Sequence, residues 1–372
     1  MNLSENTKKK CRLLYLVGQL GPGGLERQLI YLLRTLDRDR YLPTVVVWNP
    51  NMQEAFFLPE LTSLNIPWHT FPPNISKIGK LKAFRRLVNK NSPEVVHSYS
   101  SYTNFAAWYA TLGSPIIPIG SIRGNFLSER KRSGKILGRI CARWPRNQIF
   151  NSLAGKDNAE RVSGYWKPKK IFFVRNGIDL TKFRPGPLPS GRPQLLSIGR
   201  LSSEKRWDRL LRTIAVVAKK GLEFDLYHAG DGPLRTELEL QAKQLGLGDI
   251  IHFLGVRQDI SELCGKSSFL IHTSDDEGCP NVVMEAMACG RAVVATDAGD
   301  VPYLVENGKT GFVVPRGDDS LLVESISKLI CKYDLSCRMG EAGRIKAENE
   351  FGLTRLVSET LATYCSVGWE DF

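Results

Sequence analysis

No run of apolar residues in this sequence of 372 approaches the ~18–20 needed to span a bilayer. A secretory leader is not read either. Lys8-Lys9-Lys10 precedes the short apolar stretch Leu13–Val17, but a strand running into the glycine loop Gly18 to Gly24 follows, with no small-residue cleavage site. The eight cysteines show no paired CxxC spacing. This argues against zinc and a disulfide framework and for reduced thiols such as Cys264, Cys279, Cys289 and Cys331, which lie in or beside expected elements. There is no GxGxxG dinucleotide fingerprint, no acid closing the second strand, no nucleic-acid-binding motif, no internal repeat and no signal for a phosphorylase cofactor lysine.

Acids are scarce in one half only. Residues 1–186 carry 30 Lys and Arg against 11 Asp and Glu, and residues 187–372 the remaining 21 against 27. A strongly basic half beside a mildly acidic one points to a polyanionic or membrane-surface partner for the first. With 42% hydrophobic residues the chain is ordinary for a globular protein, and its length suits two domains of ~150–200 residues.

Short, continuous Val/Ile/Leu runs alternate with amphipathic segments in both halves, the pattern of parallel strands covered on both faces. The first half offers six such strands, from 12–17 to 170–174, and the second six more, from 194–198 to 311–314. The alternation predicts two doubly wound α/β domains. Pro185, Pro187, Pro189 and Pro193 with Gly186 and Gly191 mark a semi-rigid linker. The expected organisation is residues 1–180, a linker at 181–193, a second domain at 194–350 and a final helical segment at 351–372.

Four segments carry chemistry. Gly21-Pro22-Gly23-Gly24-Leu25-Glu26 follows the first strand, where glycines admit a ligand to the backbone and a helix N-terminus offers N–H groups, although a plain strand-to-helix turn reads nearly as well. His97 ends an apolar strand, where α/β folds bind ligands, although a packed histidine reads equally well there. Arg200 and Lys205 lie in one loop after a strand, beside Gly199. Arginine forks onto phosphate and lysine adds a point charge, so the two neutralise a departing diphosphate without a metal. Glu277-Gly278-Cys279-Pro280-Asn281-Val282-Val283-Met284-Glu285 sets two carboxylates around a helix start, with Glu285 little more than a turn inside it. Carboxylates suit vicinal sugar hydroxyls and the helix N-terminus suits phosphate.

Together these segments resemble the retaining glycosyltransferases of family 4, which have the GT-B fold. The resemblance covers almost the whole chain. It rests on Gly23-Gly24-Leu25-Glu26, His97, Gly199-Arg200-Leu201 with Glu204-Lys205, Gly230-Asp231-Gly232-Pro233, and Glu277 with Glu285 in the E-x7-E pattern. It implies two Rossmann-like domains facing across a cleft that holds the active site, with the last helix crossing back to the first domain. It implies that Arg200 and Lys205 hold the diphosphate, that Glu277 binds the donor sugar and Glu285 the ribose, and that His97 sits near the sugar's reacting face. Gly23, Gly24, Gly199, Gly278, Cys279, Pro280, Asn281 and Val282 would line the donor site. The implied donor is a nucleotide-diphosphate sugar, UDP by family frequency. The acceptor would be a saccharide or lipid-linked saccharide, with no metal or other cofactor. The sequence departs from the family at Asp300 and Tyr303, which replace a second glycine and an acid after Ala298-Gly299, and at Cys279, where an aromatic or aliphatic residue is usual.

Phe126 to Arg146 reads as one basic amphipathic helix. It carries Arg130, Lys131, Arg132, Lys135, Arg139, Arg143 and Arg146 against the single acid Glu129, with Ile136, Leu137, Ile140 and Trp144 at helical spacing. Such a helix suits an anionic membrane surface, placing the chain in the cytoplasm at the inner face of the plasma membrane. The alternative is a core-packed helix with a solvated basic face. The competing function is a non-catalytic nucleotide-sugar sensor on the same fold.

Overall fold

The computed structural model describes residues 10–49 and 55–371. The chain divides into two units, Met1–Gly177 together with Leu353–Phe372, and Ile178–Gly352.

The first unit holds β1 (Cys11–Val17), β2 (Tyr41–Val47), β3 (Trp68–His69), β4 (Val95–Ser98), β5 (Ile117–Ile122), β6 (Asn147–Phe150) and β7 (Lys170–Phe173). They form one parallel sheet ordered β3-β2-β1-β4-β5-β6-β7. Alternate residues explain why both faces are covered. Leu13, Tyr15, Val17 and Val45 enter one core, and Leu14, Leu16, Val46 and Val96 enter another. The seventh strand beyond the expected six is β3, only two residues long at the sheet edge, too short to leave a periodic signal.

The second unit holds β8 (Gln194–Ile198), β9 (Asp225–Ala229), β10 (Ile251–Phe253), β11 (Phe269–His272), β12 (Ala292–Thr296) and β13 (Gly311–Val314). The order is β10-β9-β8-β11-β12-β13, again parallel. Leu195, Phe269, Ile271 and Val294 face one core, and Leu196, Ile198, Leu270 and Val293 the other. The strand order reverses between β8 and β11. Ligands of open α/β sheets bind outside the strand C-termini at such a switch point.

Two expectations change. The proline-rich segment at 181–193 is not a linker outside the two units. Phe183 is buried, and Arg291, itself buried, donates to the carbonyls of Gly186 (2.8 Å) and Pro187 (3.0 Å). Arg344 donates to the Phe183 carbonyl at 2.7 Å. Carbonyls of a segment with few N–H donors to form a ladder are thus satisfied by the guanidinium groups of buried Arg291 and half-buried Arg344, and the segment belongs to the second unit. The basic segment is two helices, Phe126–Arg132 and Lys135–Arg143, rather than one. Gly134 adopts φ +85°, a conformation that ends the first helix, and a Cβ on Gly138 would lie 1.9 Å from the Arg130 carbonyl oxygen. The close approach of the second helix to the first requires that glycine.

The helix Leu353–Ser366 packs within the first unit. Arg355 donates to the carbonyls of Arg175 and Asn176, and Trp369 just beyond the helix donates to Glu94 at 3.0 Å.

Candidate active site

The loop after β8 is braced from three sides. Gly199, at φ +153°, donates its N–H to the Ala229 carbonyl at 3.0 Å, and Leu201 donates to Asp231 at 3.0 Å. Gly230 must stay glycine, because a Cβ there would sit 1.9 Å from the Gly199 oxygen. His228 bridges Ser197 Oγ (2.9 Å) and the Gly199 carbonyl (3.1 Å), and burial pushes its pKa down to about 4. Its Nε2 therefore donates to Gly199 and its Nδ1 accepts from Ser197. Trp207 Nε1 donates to the Arg200 carbonyl at 2.8 Å. The Arg200 backbone is fixed while its side chain is exposed and meets no acidic partner among the described residues.

The loop after β11 is tied to the loop after β8. Thr273 Oγ1 donates to the Lys205 carbonyl (3.1 Å), Ser274 Oγ to Glu204 (3.0 Å) and Asp275 N–H to Glu204 (2.9 Å). This brings together two residues 72 positions apart. Lys205 Nζ lies 2.5 Å from Glu277 Oε1, their side chains 21% and 10% exposed. The same oxygen accepts from His272 Nε2 at 2.8 Å. Burial pushes the Glu277 carboxyl up, but Lys205 and His272 outweigh it and hold it well below the usual carboxylate range. Glu277 is ionised at neutral pH.

Gly278 accepts the Asp300 N–H at 2.9 Å, and Gly299, at φ +53°, leaves no room for a Cβ against the Glu277 and Gly278 carbonyls (2.5 and 2.6 Å). Pro280 precedes the helix Asn281–Ala288 and has no capping side chain. Asn281 and Val282 are partly exposed in its first turn, whereas Cys279 is buried with its sulfur 3.5 Å from that of Met284. Glu285 is fully buried among Met284, Ala286 and their neighbours. Asp300, where the family pattern has glycine, is also fully buried.

In the first unit, Gly23 precedes the helix Gly24–Thr35. Glu26 folds back over Gly23, and burial raises its carboxyl pKa to about 7. His97 is packed within the first unit. It is 1% exposed, and its nitrogens are taken by Tyr364 Oη at 2.6 Å and Ser121 Oγ at 2.8 Å. Burial and the nearby Arg123 push its pKa well below the ordinary value. His97 is packed, the second of its two sequence readings: through Tyr364 it fastens the terminal helix to the sheet of the first unit.

The expected residues Gly199, Arg200, Lys205, Glu277 and Gly278 thus converge at the switch point of the second sheet. His272 was missed, since one histidine in an apolar strand carries no spacing signal. Among the described residues no group of three or more His, Cys, Asp or Glu is arranged to hold a metal ion. No described helix is long and apolar enough to cross a membrane.

Two family models match adjoining parts of the chain, "Glycosyltransferase Family 4" over residues 22–182 and "Glycosyl transferases group 1" over residues 179–346. An uncharacterized glycosyltransferase of Haemophilus influenzae is 32% identical over 44% of this chain and 47% of its own length. The N-acetyl-alpha-D-glucosaminyl L-malate synthase of Bacillus anthracis is 26% identical over 55% of this chain and 52% of its own. The chain therefore spans about half the length of these two relatives. The crystal structure of Anabaena HepE in complex with UDP-glucose is 20% identical, covers 95% of this chain and 99% of HepE, and superposes with a TM-score of 0.81. That likeness establishes a common fold. With both family models matched in chain order on two Rossmann-like units, the chain belongs to the GT-B glycosyltransferases of family 4.

Proposed function

We propose that the chain transfers a sugar from a nucleotide-diphosphate sugar, with UDP as the favoured nucleotide, to a saccharide or lipid-linked saccharide in cell-surface polysaccharide or glycolipid synthesis. The observation that carries this is the second unit's switch point, where an exposed Arg200, without an acidic partner among the described residues, stands on a braced loop beside the Lys205–Glu277 pair. A diphosphate leaving group gathers negative charge as its bond to the sugar breaks. A guanidinium and an ammonium at its side stabilise that charge, the work a metal does elsewhere. Glu277, ionised and fixed from the β11 loop, accepts sugar hydroxyls. Glu285, on the helix Asn281–Ala288, serves the ribose, and the peptides of Gly278 to Val282 approach the donor. The attack proceeds from the leaving-group side and retains the anomeric configuration, without a metal. The UDP complexes of HepE support the choice of nucleotide.

The acceptor side is proposed to meet an anionic membrane in the cytoplasm. Ile136 and Leu137 are 77% and 44% exposed on the second of the two basic helices, and Leu127 is 43% exposed on the first. The lone acid Glu129 turns inward to the Ser101 hydroxyl, which leaves an outward face of Lys131, Arg132, Lys135 and Arg139. Apolar side chains among cations suit the boundary of anionic lipid.

Calorimetric titration with UDP tests the donor site. The wild-type chain is expected to bind UDP, and Arg200→Ala to bind it at least ~10-fold more weakly, the loss of a charge-assisted phosphate contact of roughly 1.5–3 kcal/mol. Equal affinity in both proteins would remove Arg200 from the donor site.

A further inference from the structure

We propose that His272 is a positioning residue that keeps Glu277 in place when Lys205 leaves it for the donor's diphosphate. This rests on the donor site proposed above.

The two donors to Glu277 Oε1 differ in kind. Lys205 belongs to the short turn Ser203–Lys205, and its side chain is 21% exposed on four rotatable bonds. His272 ends β11, an interior strand between β8 and β12, and its side chain is 1% exposed. The Nδ1 atom of His272 is buried and has no hydrogen-bond partner among the described residues. A proton there would be unsatisfied, so Nε2 carries the ring proton and points it at the carboxylate.

Without donor, ammonium and carboxylate neutralise each other. An arriving diphosphate brings more negative charge than one carboxylate, and the flexible ammonium follows it. Removing the only partner of a largely buried carboxylate would be strongly unfavourable and would favour its rotation or protonation. The Nε2–H of His272 prevents this. It stays on Oε1, and the direction vacated by Lys205 opens to a sugar hydroxyl. Exchange of one ion pair thereby couples diphosphate binding to the readiness of Glu277 for the sugar.

His272→Phe keeps the ring volume and removes the donor, and His272→Gln restores an N–H near the Nε2 position. With UDP and UDP-glucose as probes in calorimetric titration, His272→Phe is expected to bind UDP within about threefold of wild type. It is expected to lose at least tenfold in the advantage of UDP-glucose over UDP, and His272→Gln to recover most of it. Equal loss for both ligands, or no loss for either, would overturn the proposal. A second readout needs no donor. In a cycle with Lys205→Met, His272→Phe should lower the melting temperature more in the Lys205→Met background than in wild type, because His272 is then the last partner of Glu277. Additive melting losses would overturn it as well. Failure of the wild type to bind either UDP or UDP-glucose would count against the proposed function, and the melting cycle would still decide the role of His272.

Discussion

Lys205→Met removes the cation from the centre of the site and leaves the shape of the side chain. Truncating one partner of a fully buried ion pair costs roughly 3–5 kcal/mol. Here the Lys205 side chain is 21% exposed and the Glu277 carboxylate keeps the hydrogen bond from His272, so solvent and that bond offset part of the loss. We expect a destabilisation of about 1–3 kcal/mol at pH 7, read by calorimetry as a melting temperature lower by roughly 3–10 °C. The sign with pH is fixed by the depressed carboxyl of Glu277. A group with a lowered folded-state pKa contributes stability that is present above its ordinary value of 4.5 and lost as pH falls through the folded value. The deficit of Lys205→Met should therefore be greatest at neutral pH and shrink as Glu277 takes up a proton in acid. Turnover should fall further than stability suggests, by roughly 10²–10³-fold, the loss typical for a group that stabilises developing charge. A variant as stable as wild type at pH 7 would refute the pairing, and a deficit that grows in acid would refute the sign.

Further outcomes follow from the other sites. Tyr364→Phe removes the partner of buried His97 Nδ1 and should cost about 1–3 kcal/mol in chemical denaturation while leaving UDP affinity unchanged. A large loss of UDP affinity would return His97 to the binding machinery. The Glu26 carboxyl, raised by burial to about 7, binds its proton more tightly in the folded state, so its charging costs stability as pH rises from 4.5 through 7. Glu26→Gln should therefore be more stable than wild type at pH 8, by about 1–3 kcal/mol, with the gain vanishing near pH 5. Ile136→Asp with Leu137→Asp should abolish sedimentation with vesicles rich in phosphatidylserine and leave the melting temperature within about 2 °C. Undiminished, salt-sensitive sedimentation would move the contact elsewhere.

Much of the fold was legible because strands such as β8, β11 and β12 are mainly apolar runs followed by Gly199, Thr273 and Asp297. Those ends also located the loops that carry Arg200, Lys205 and Glu277. What was not legible is set by long-range partners. Whether His97 is exposed depends on Tyr364, 267 residues away, and no local pattern announces that pairing. His272 looked like any residue of an apolar strand, and its role exists only because the β11 loop turns Glu277 back onto it. The division of the basic segment was written at Ser133-Gly134, but the strong periodicity of Ile136, Leu137 and Ile140 concealed it. The proline-rich segment read as a semi-rigid linker because the guanidinium groups that bind it into the second unit, on Arg291 and Arg344, come from more than 100 residues downstream.

The most direct measurement is nucleotide release from UDP-, GDP- and ADP-sugars by the purified full chain, with and without EDTA, beside Glu277→Gln as a control. The account predicts release from one donor, UDP-linked, unchanged by EDTA, lowered at least ~100-fold in Glu277→Gln and stimulated by membrane lipid extracts that supply an acceptor. Release abolished by EDTA, or release that survives in Glu277→Gln, would contradict it.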